Sequence, residues 1–188
     1  MTEAVGRNGQ TSIVVGRQAA FRATAFTRAA VLAGLHGHME AFLWLRLVGE
    51  FWTTTEGDKR ELVELLRAHE DWAPMMKRRE RLVWDDLPDW FRAWRGCYEG
   101  YNEGGLSYSM EREEARDYPF VARYRMAGLV PILRCAWVSK LDCIVKMDRG
   151  RVEVLAHAVN EIDRVVLDYR VSPMAFAGTP HLPPPARV

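Results

Sequence analysis

The chain has 188 residues, and its charges nearly cancel, with 26 Lys and Arg against 25 Asp and Glu. Because 48% of the residues are hydrophobic, the chain can bury a substantial core, which favours one globular domain with an appendage. The balanced charge argues against a protein that wraps nucleic acid, for which a strong positive excess is typical.

The cysteine content and the hydropathy of the chain indicate where in the cell the protein is located. The cysteines Cys97, Cys135 and Cys143 are odd in number and lack paired ligand spacing, so neither a disulfide framework nor a metal site is expected. No uncharged run reaches the roughly 18 residues that a membrane span needs, and the first residues lack the pattern of a signal peptide. The sequence therefore predicts a cytoplasmic protein that has no membrane partner.

A helical pattern dominates the first half of the chain. Residues 1–18 are small, polar and glycine-containing, which predicts a flexible arm. Over residues 19–86 apolar side chains recur at three- and four-residue spacing, which predicts a helical lobe, with Gly34 and Gly37 favouring a break in it. The run "KRRER" at 77–81 is expected to be a solvated helix face. A nucleic-acid partner is not expected there, although it stays open.

Beyond Pro88 the composition changes to short segments rich in β-branched and aromatic residues. Clusters of Gly, Asp, Glu and Asn separate them, which is typical of strands and turns. Among them, residues 110–126 have a helical pattern. Because helices precede strands rather than alternate with them, the sequence predicts an α+β fold with its β core at 87–172. The proline-rich residues 173–188 are expected to be disordered.

Arg95 and Gly96 end the first apolar strand, in the segment "WFRAWRG". A guanidinium at a strand end can hold a phosphate through two hydrogen bonds, and the following glycine lets a ligand approach the backbone closely. The alternative interpretation is an ordinary surface arginine before a turn. Taken alone, this pair does not predict a site.

The segment "GLSYS" follows after a loop rich in glycine and tyrosine. Ser107 and Ser109 lie two residues apart and therefore point to the same side of a strand, while Tyr108 points to the other side. In isolation these residues are better explained as a polar strand edge with a serine that caps the next helix.

A lone glutamate lies in a later strand, within "DRGRVEVLAH". Glu153 has apolar neighbours on both sides, so its carboxylate either lies exposed at an edge or has a function. The nearby Arg149 and Arg151 offer an ordinary ion pair as the alternative. On its own this residue favours neither interpretation.

Taken in order, these motifs resemble the ADP-ribosyltransferase fold, in the branch whose signature is Arg, Ser-x-Ser and Glu on three successive core segments. The match runs from about Leu87 to Val171 and includes "WRG", "GLSYS", the stretch Ala115 to Tyr118, and "WVSKLDCIVKMDRGRVEVL". Members of this family often carry a helical lobe before the first core strand. The resemblance implies a split β-sheet core, NAD as substrate, and no metal.

The resemblance also implies a role for each matched residue. Glu153 would hold a ribose hydroxyl and counter the positive charge of an oxocarbenium-like transition state. Arg95 would clamp the pyrophosphate, and the backbone of Gly96 would meet the nicotinamide amide. Ser107 would hold the ribose and orient Glu153. The other residues expected to contact NAD are Tyr108, Ser109 and Tyr118.

Arg151 departs from the pattern of arginine-modifying members, which have Glu or Gln two residues before the catalytic glutamate. A cation would not activate an arginine acceptor, because like charges repel and no base is present. The resemblance therefore implies a mono-ADP-ribosyltransferase that modifies a protein at a residue other than arginine. A carboxylate, an amide and a hydroxyl all stay open as the acceptor.

The biological setting is expected by analogy alone. Some proteins of this fold are toxins or anti-defence effectors, encoded by phages or mobile elements, that modify a host factor. Two alternatives to the transferase remain. One is an NAD glycohydrolase toxin, with water as acceptor, and the other is a catalytically inactive binding protein that retains the fold.

Overall fold

A computed structural model of the protein describes residues 4–121 and 124–167, with residues 4–12 described through their backbone. The described residues form six α-helices and a six-stranded antiparallel sheet that is not closed. This architecture confirms the predicted α+β class. The predicted proline-rich tail at 173–188 lies outside the described residues, as do residues 168–172 of the predicted β core.

Five of the six α-helices precede the first strand. The break predicted at Gly34 and Gly37 separates the second helix from the third. Within the described residues, no helix combines the length and apolar character that crossing a membrane requires. The helices are α1 (Ala4–Arg22), α2 (Arg28–Gly34), α3 (Ala41–Phe51), α4 (Arg60–Arg67), α5 (Arg78–Asp85) and α6 (Arg112–Asp117).

The strands form one sheet in the order β4-β5-β2-β1-β3-β6. β1 and β3 are the longest pair and lie antiparallel in a register that runs from Trp90 opposite Ser139 to Tyr98 opposite Pro131. β2 is three residues long and lies between β1 and β5. The strands are β1 (Trp90–Tyr98), β2 (Ser107–Ser109), β3 (Pro131–Ser139), β4 (Cys143–Asp148), β5 (Arg151–Ala156) and β6 (Asn160–Val166).

The helix α1 occupies most of the stretch for which the sequence predicts a flexible arm. Glycine has a low helix propensity, and that is why the pattern argued against a helix here. In the structure Gly16 is buried, and a Cβ at this position would lie 3.0 Å from the Cε of Met39 and 3.1 Å from a Cδ of Leu47. Close packing against neighbouring segments therefore stabilises a helix that propensity alone disfavours.

Tryptophans fill the core among the helices and use their indole N–H groups there. Trp44 and Trp72 are at most 2% exposed. The Nε1 of Trp44 donates a hydrogen bond to the carbonyl of Leu32, and that of Trp72 donates to the carbonyl of Leu66, both at 2.8 Å. These indoles bury a large apolar surface without leaving a polar atom unpaired.

Contacts between residues divide the chain into two compact units. The helical unit contains the residues up to Asp85 together with Ile144–Arg151, and the sheet unit contains Asp86–Cys143 together with the residues from Val152 on. The sequence interpretation assigned all of 87–172 to the β core. The structure groups most of β4 and the turn after it with the helices instead, and a buried ion pair joins this strand to them.

That ion pair joins Glu80 of α5 to Lys146 of β4 inside the helical unit, and both residues are 1% exposed. The Nζ of Lys146 lies 2.8 Å from an Oε of Glu80 and donates a second hydrogen bond to the carbonyl of Met75. The carboxylate also accepts from the backbone N–H groups of Lys77 and Met147. These hydrogen bonds to both charges lie within the helical unit and offset the cost of burying the ion pair.

We expect Lys146→Met to lower the free energy of unfolding by about 3–5 kcal/mol, because Glu80 would keep a buried charge without its counter-ion. Urea unfolding followed by tryptophan fluorescence would measure this loss. The matched control is Arg60→Met, since the ion pair of Arg60 with Asp58 lies at the surface, and we expect it to lower stability by at most about 1 kcal/mol. Equal losses in the two variants would contradict the importance of the buried pair.

Candidate functional site

The three segments singled out in the sequence lie on neighbouring strands of the sheet unit. β2 carries the Ser-Tyr-Ser segment and lies between β1, which carries Arg95, and β5, which carries Glu153. Ser109 lies opposite Trp94 of β1 and also opposite Glu153 of β5. The fold therefore brings together residues that are more than forty positions apart in the chain.

The register decides which side chains share a face of the sheet. Residues directly opposite each other point to the same face, and successive residues alternate. Ser107, Ser109 and Glu153 accordingly share one face, which is also the face of Trp94. Arg95, as the next residue after Trp94, has its Cβ on the other face.

The guanidinium of Arg95 bonds to the loop that leads into β2. Its Nη1 donates a hydrogen bond to the carbonyl of Ser107, and its Nη2 donates to the carbonyl of Asn102, both at 2.7 Å. The Nε is buried and has no hydrogen-bond partner among the described residues. Arg95 thus holds the Asn102–Ser107 loop against β1, while its buried Nε–H group donates no hydrogen bond within the described residues.

Arg95 belongs to a row of three arginines across adjacent strands, opposite Arg134 of β3, which is in turn opposite Arg164 of β6. Arg134 is paired with Glu161, and this hydrogen bond raises the pKa of its guanidinium. Arg164 pairs with two carboxylates, those of Glu99 and Glu103. Arg134 also donates to the carbonyl of Glu103, but Arg95 is the member of this row whose hydrogen bonds go to carbonyl groups without a carboxylate partner among the described residues.

On the opposite face, Ser109 connects β2 to α6. Its hydroxyl donates a hydrogen bond to a carboxylate oxygen of Glu114 at 2.9 Å and accepts one from the backbone N–H of Glu111 at 3.0 Å. Since Ser109 also lies opposite Glu153, two carboxylates flank one serine. Ser109 does not cap α6, because the N-cap residue is Glu111 and no side chain caps the helix; its hydroxyl instead fixes the turn that leads into α6.

The two candidate tyrosines have different environments. Tyr108 is 5% exposed, and burial raises the pKa of its hydroxyl even though Arg95 and Arg134 act against this. Tyr118 is 43% exposed and stacks on Tyr124, with 4.4 Å between ring centroids. Burial raises the pKa of Tyr118, and the hydrogen bond to Tyr124 and the nearby charge of Glu153 raise it further. Only Tyr118 therefore has an accessible ring that a ligand can contact.

Gly96 is buried beneath α6. A Cβ on this residue would lie 1.9 Å from the carbonyl oxygen of Ala115 and 2.7 Å from the Cδ of Pro119. A side chain cannot be accommodated at that distance, so the glycine is needed for the helix to approach the strand. The sequence predicts that a ligand approaches the backbone of Gly96 closely. In the structure α6 occupies that position instead.

Cysteine and metal chemistry have little support at this site. Burial raises the pKa of the thiols of Cys97 and Cys135, which disfavours the reactive thiolate. In the described ranges, no group of three or more His, Cys, Asp or Glu residues comes together as a set of metal ligands.

Two residues of this site were missed in the sequence. Asn102 holds the loop, since its carbonyl accepts from Arg95 and its side-chain oxygen accepts from the backbone N–H of Tyr98 at 2.9 Å. An asparagine among glycines is a turn signal, so this role could have been suggested. Glu114 had no such signal, because its contact with Ser109 depends on the position of α6.

Comparison with known protein families, with curated proteins and with solved structures gave no significant match to this chain.

We expect Gly96→Ala to lower the free energy of unfolding by about 1–3 kcal/mol, because the added methyl group forces α6 away from β1. Gly104→Ala is the matched control, since a Cβ there would meet nothing within 4 Å. Urea unfolding of both variants measures the difference. A Gly96→Ala protein as stable as the control would show that α6 moves away at no cost.

Proposed function

We propose that the protein is a mono-ADP-ribosyltransferase that cleaves NAD and transfers ADP-ribose to a protein. The observation that carries this proposal is the adjacency of β1, β2 and β5, with Ser109 directly opposite Glu153. The resemblance described above requires its Arg, Ser-x-Ser and Glu segments to be neighbours. Adjacency of three segments so distant in sequence supports that assignment.

The reaction breaks the bond between C1′ of the ribose and the nicotinamide nitrogen. The bonding electron pair leaves with nicotinamide, whose ring becomes neutral, and C1′ develops the positive charge of an oxocarbenium ion. The acceptor then forms a bond to C1′: a hydroxyl or amide acceptor loses a proton to solvent in this step, whereas an ionised carboxylate has none to lose. A fixed negative charge near the ribose stabilises this transition state, and Glu153 is the residue we assign to that role.

The face that Glu153 shares with the serines suits the ribose and nicotinamide end of NAD. Glu153 is half-buried, so its charge is less screened than at an open surface. Ser107 and Ser109 share its face and offer hydroxyl groups for the ribose. The ring of Tyr118 is exposed and can stack on the nicotinamide.

The pyrophosphate end requires a rearrangement. Arg95 brings a positive charge that no carboxylate partner neutralises among the described residues, and a buried Nε without a hydrogen-bond partner. A pyrophosphate would replace the carbonyls of Ser107 and Asn102 as the acceptor of its hydrogen bonds. Because the Cβ of Arg95 lies on the face opposite to Glu153, one NAD molecule would meet both residues only if the guanidinium turned toward the face of Glu153. Tyr108 lies on the face of Arg95. The backbone of Gly96, assigned to the nicotinamide amide, lies beneath α6 and would meet the amide only if α6 moved away.

Arg151 supports a protein acceptor other than arginine. It is exposed at the start of β5, two residues before Glu153, and its charge would repel an incoming guanidinium. A carboxylate, amide or hydroxyl acceptor meets no such repulsion. An effector or toxin that acts on a host factor in the cytoplasm remains the setting we infer by analogy.

A catalytically inactive protein of the same fold is the second candidate. One observation favours it: both terminal nitrogens of Arg95 are bonded to backbone carbonyls, which makes this arginine a structural residue of the loop. In that case the protein would bind a partner without cleaving NAD.

We expect Glu153→Gln to lower NAD cleavage by about 100-fold or more, because the amide keeps the shape of the side chain and removes its charge. Nicotinamide release from NAD by the purified protein, with and without cell lysate, measures this activity. Release that requires lysate indicates a transferase, whereas release without lysate indicates the glycohydrolase with water as acceptor.

Glu111→Gln is the control for this variant, since Glu111 is exposed at the start of α6 and its backbone N–H makes the contact with Ser109. It should retain cleavage. Full activity of Glu153→Gln would remove Glu153 from the mechanism. Absence of nicotinamide release from the unaltered protein, with lysates from several hosts, would favour the inactive candidate.

We expect Arg95→Lys to weaken NAD binding by about tenfold, because an ammonium group cannot reproduce the two parallel hydrogen bonds of a guanidinium. Calorimetry in the Glu153→Gln background measures the dissociation constant without consuming NAD. Arg134→Lys is the matched control, as it makes the same change one strand away in a residue that is paired with Glu161. Unchanged NAD affinity in Arg95→Lys would leave Arg95 with its structural role alone.

A further inference from the structure

A second candidate site lies in the helical unit, in a concave groove of about 530 Å³. Its volume is typical of a ligand-binding pocket. α1, α3 and α5 and the turn before α5 contribute its lining. The charged residues that line it are Arg17, Arg46, Glu50, Lys77, Arg78 and Arg81.

The groove has a strong positive excess, although the whole chain is nearly neutral. Five of its lining side chains are cationic and one is anionic. Glu50 pairs with Arg17 at 2.6 Å, so that pair is neutral. Arg46, Lys77, Arg78 and Arg81 are exposed, and within the described residues no carboxylate is paired with them; Arg81 donates one hydrogen bond to the carbonyl of Ala73. Four positive charges are therefore available to an anion in this groove.

The run "KRRER" divides its side chains between three environments. Lys77, Arg78 and Arg81 line the groove, Glu80 is buried with Lys146, and Arg79 is exposed outside the groove. A purely solvated helix face, as the sequence suggested, would not direct three of its cations into one cavity together with arginines from α1 and α3.

An aromatic ring accompanies the cations. Phe42 lines the groove and is 54% exposed, and the guanidinium of Arg46 lies 5.9 Å from the centre of its ring. Nucleobases stack on such rings and on guanidinium planes, while phosphates pair with the cations beside them. Carboxylates of an acidic protein would use the charges but would leave the exposed ring without a partner.

We propose that this groove binds a single-stranded nucleic acid, through phosphate contacts to Arg46, Lys77, Arg78 and Arg81 and base stacking on Phe42. A single strand is favoured over a duplex because only unpaired bases offer their faces to an aromatic ring. None of these residues belongs to the proposed NAD site, so the two proposals are independent.

The test is fluorescence anisotropy of the full chain with labelled RNA and DNA single strands of about 12 nucleotides. If four cations contact phosphates, the logarithm of the association constant should fall with that of the salt concentration with a slope of about −3. The same strands in duplex form should bind more weakly. RNA and DNA present the same phosphates, and comparing their affinities tells which of them the groove prefers.

The double variant Arg46→Glu/Arg78→Glu should weaken binding by at least about tenfold, because two contacts become repulsive. Arg79→Glu is the matched control and should stay within about twofold of the unaltered protein. Phe42→Ala should lower the affinity for single strands by about fivefold or more. It should not change the slope of the logarithm of the association constant against that of the salt concentration, because stacking releases no counterions. An unfolding midpoint for each variant verifies that its fold is retained.

Three results would overturn the proposal. The first is no salt-dependent binding of either strand at about 50 mM salt. The second is an equal loss of affinity in Arg79→Glu, which would place the charge effect outside the groove. The third is competition by polyglutamate as effective as that by unlabelled strand at equal charge, which would identify an acidic protein as the occupant.

Discussion

The hydrogen bonds of Arg95 are the interaction on which the candidate site depends. β2 is three residues long and lies opposite β1 at Trp94, so its backbone pairing alone fixes it weakly. The guanidinium of Arg95 adds two bonds, to the carbonyls of Ser107 and Asn102, and so fixes the loop before β2 as well. Because Ser109 lies opposite Glu153, whatever positions β2 also positions the serines relative to the glutamate.

This dependence creates a conflict between two uses of one side chain. A guanidinium that holds a loop cannot at the same time offer its terminal nitrogens to a pyrophosphate. The two uses are reconciled if the phosphate oxygens take the place of the carbonyls, since both are hydrogen-bond acceptors and the phosphate also supplies negative charge. The loop would then be less tightly held while NAD is bound. Its length and its glycines make such a change of partner inexpensive.

The sequence predicted the fold class and several strands because period-two alternation and turn residues are local signals. It also identified the segments that meet in the sheet. It could not predict that Arg95 has its Cβ on the face opposite to Glu153, because that depends on the register Trp94–Ser109–Glu153. α1 escaped prediction for a related reason, since its stability comes from packing at Gly16 rather than from propensity. Local sequence patterns predict helices and strands. The register between strands and the contacts between helices and strands are known only from the three-dimensional structure.

The near-zero net charge of the chain was a poor guide to its surface, because carboxylates neutralise some of the cations and leave others without a counter-ion. In the row of three arginines, carboxylates neutralise Arg134 and Arg164. In α5 the acidic member of the run, Glu80, is buried against Lys146, and its neighbouring cations remain at the groove. Electrostatic attraction acts over about 10 Å at moderate salt, so a ligand responds to this local excess and not to the sum over the chain. Net charge therefore constrains solubility more than it constrains binding.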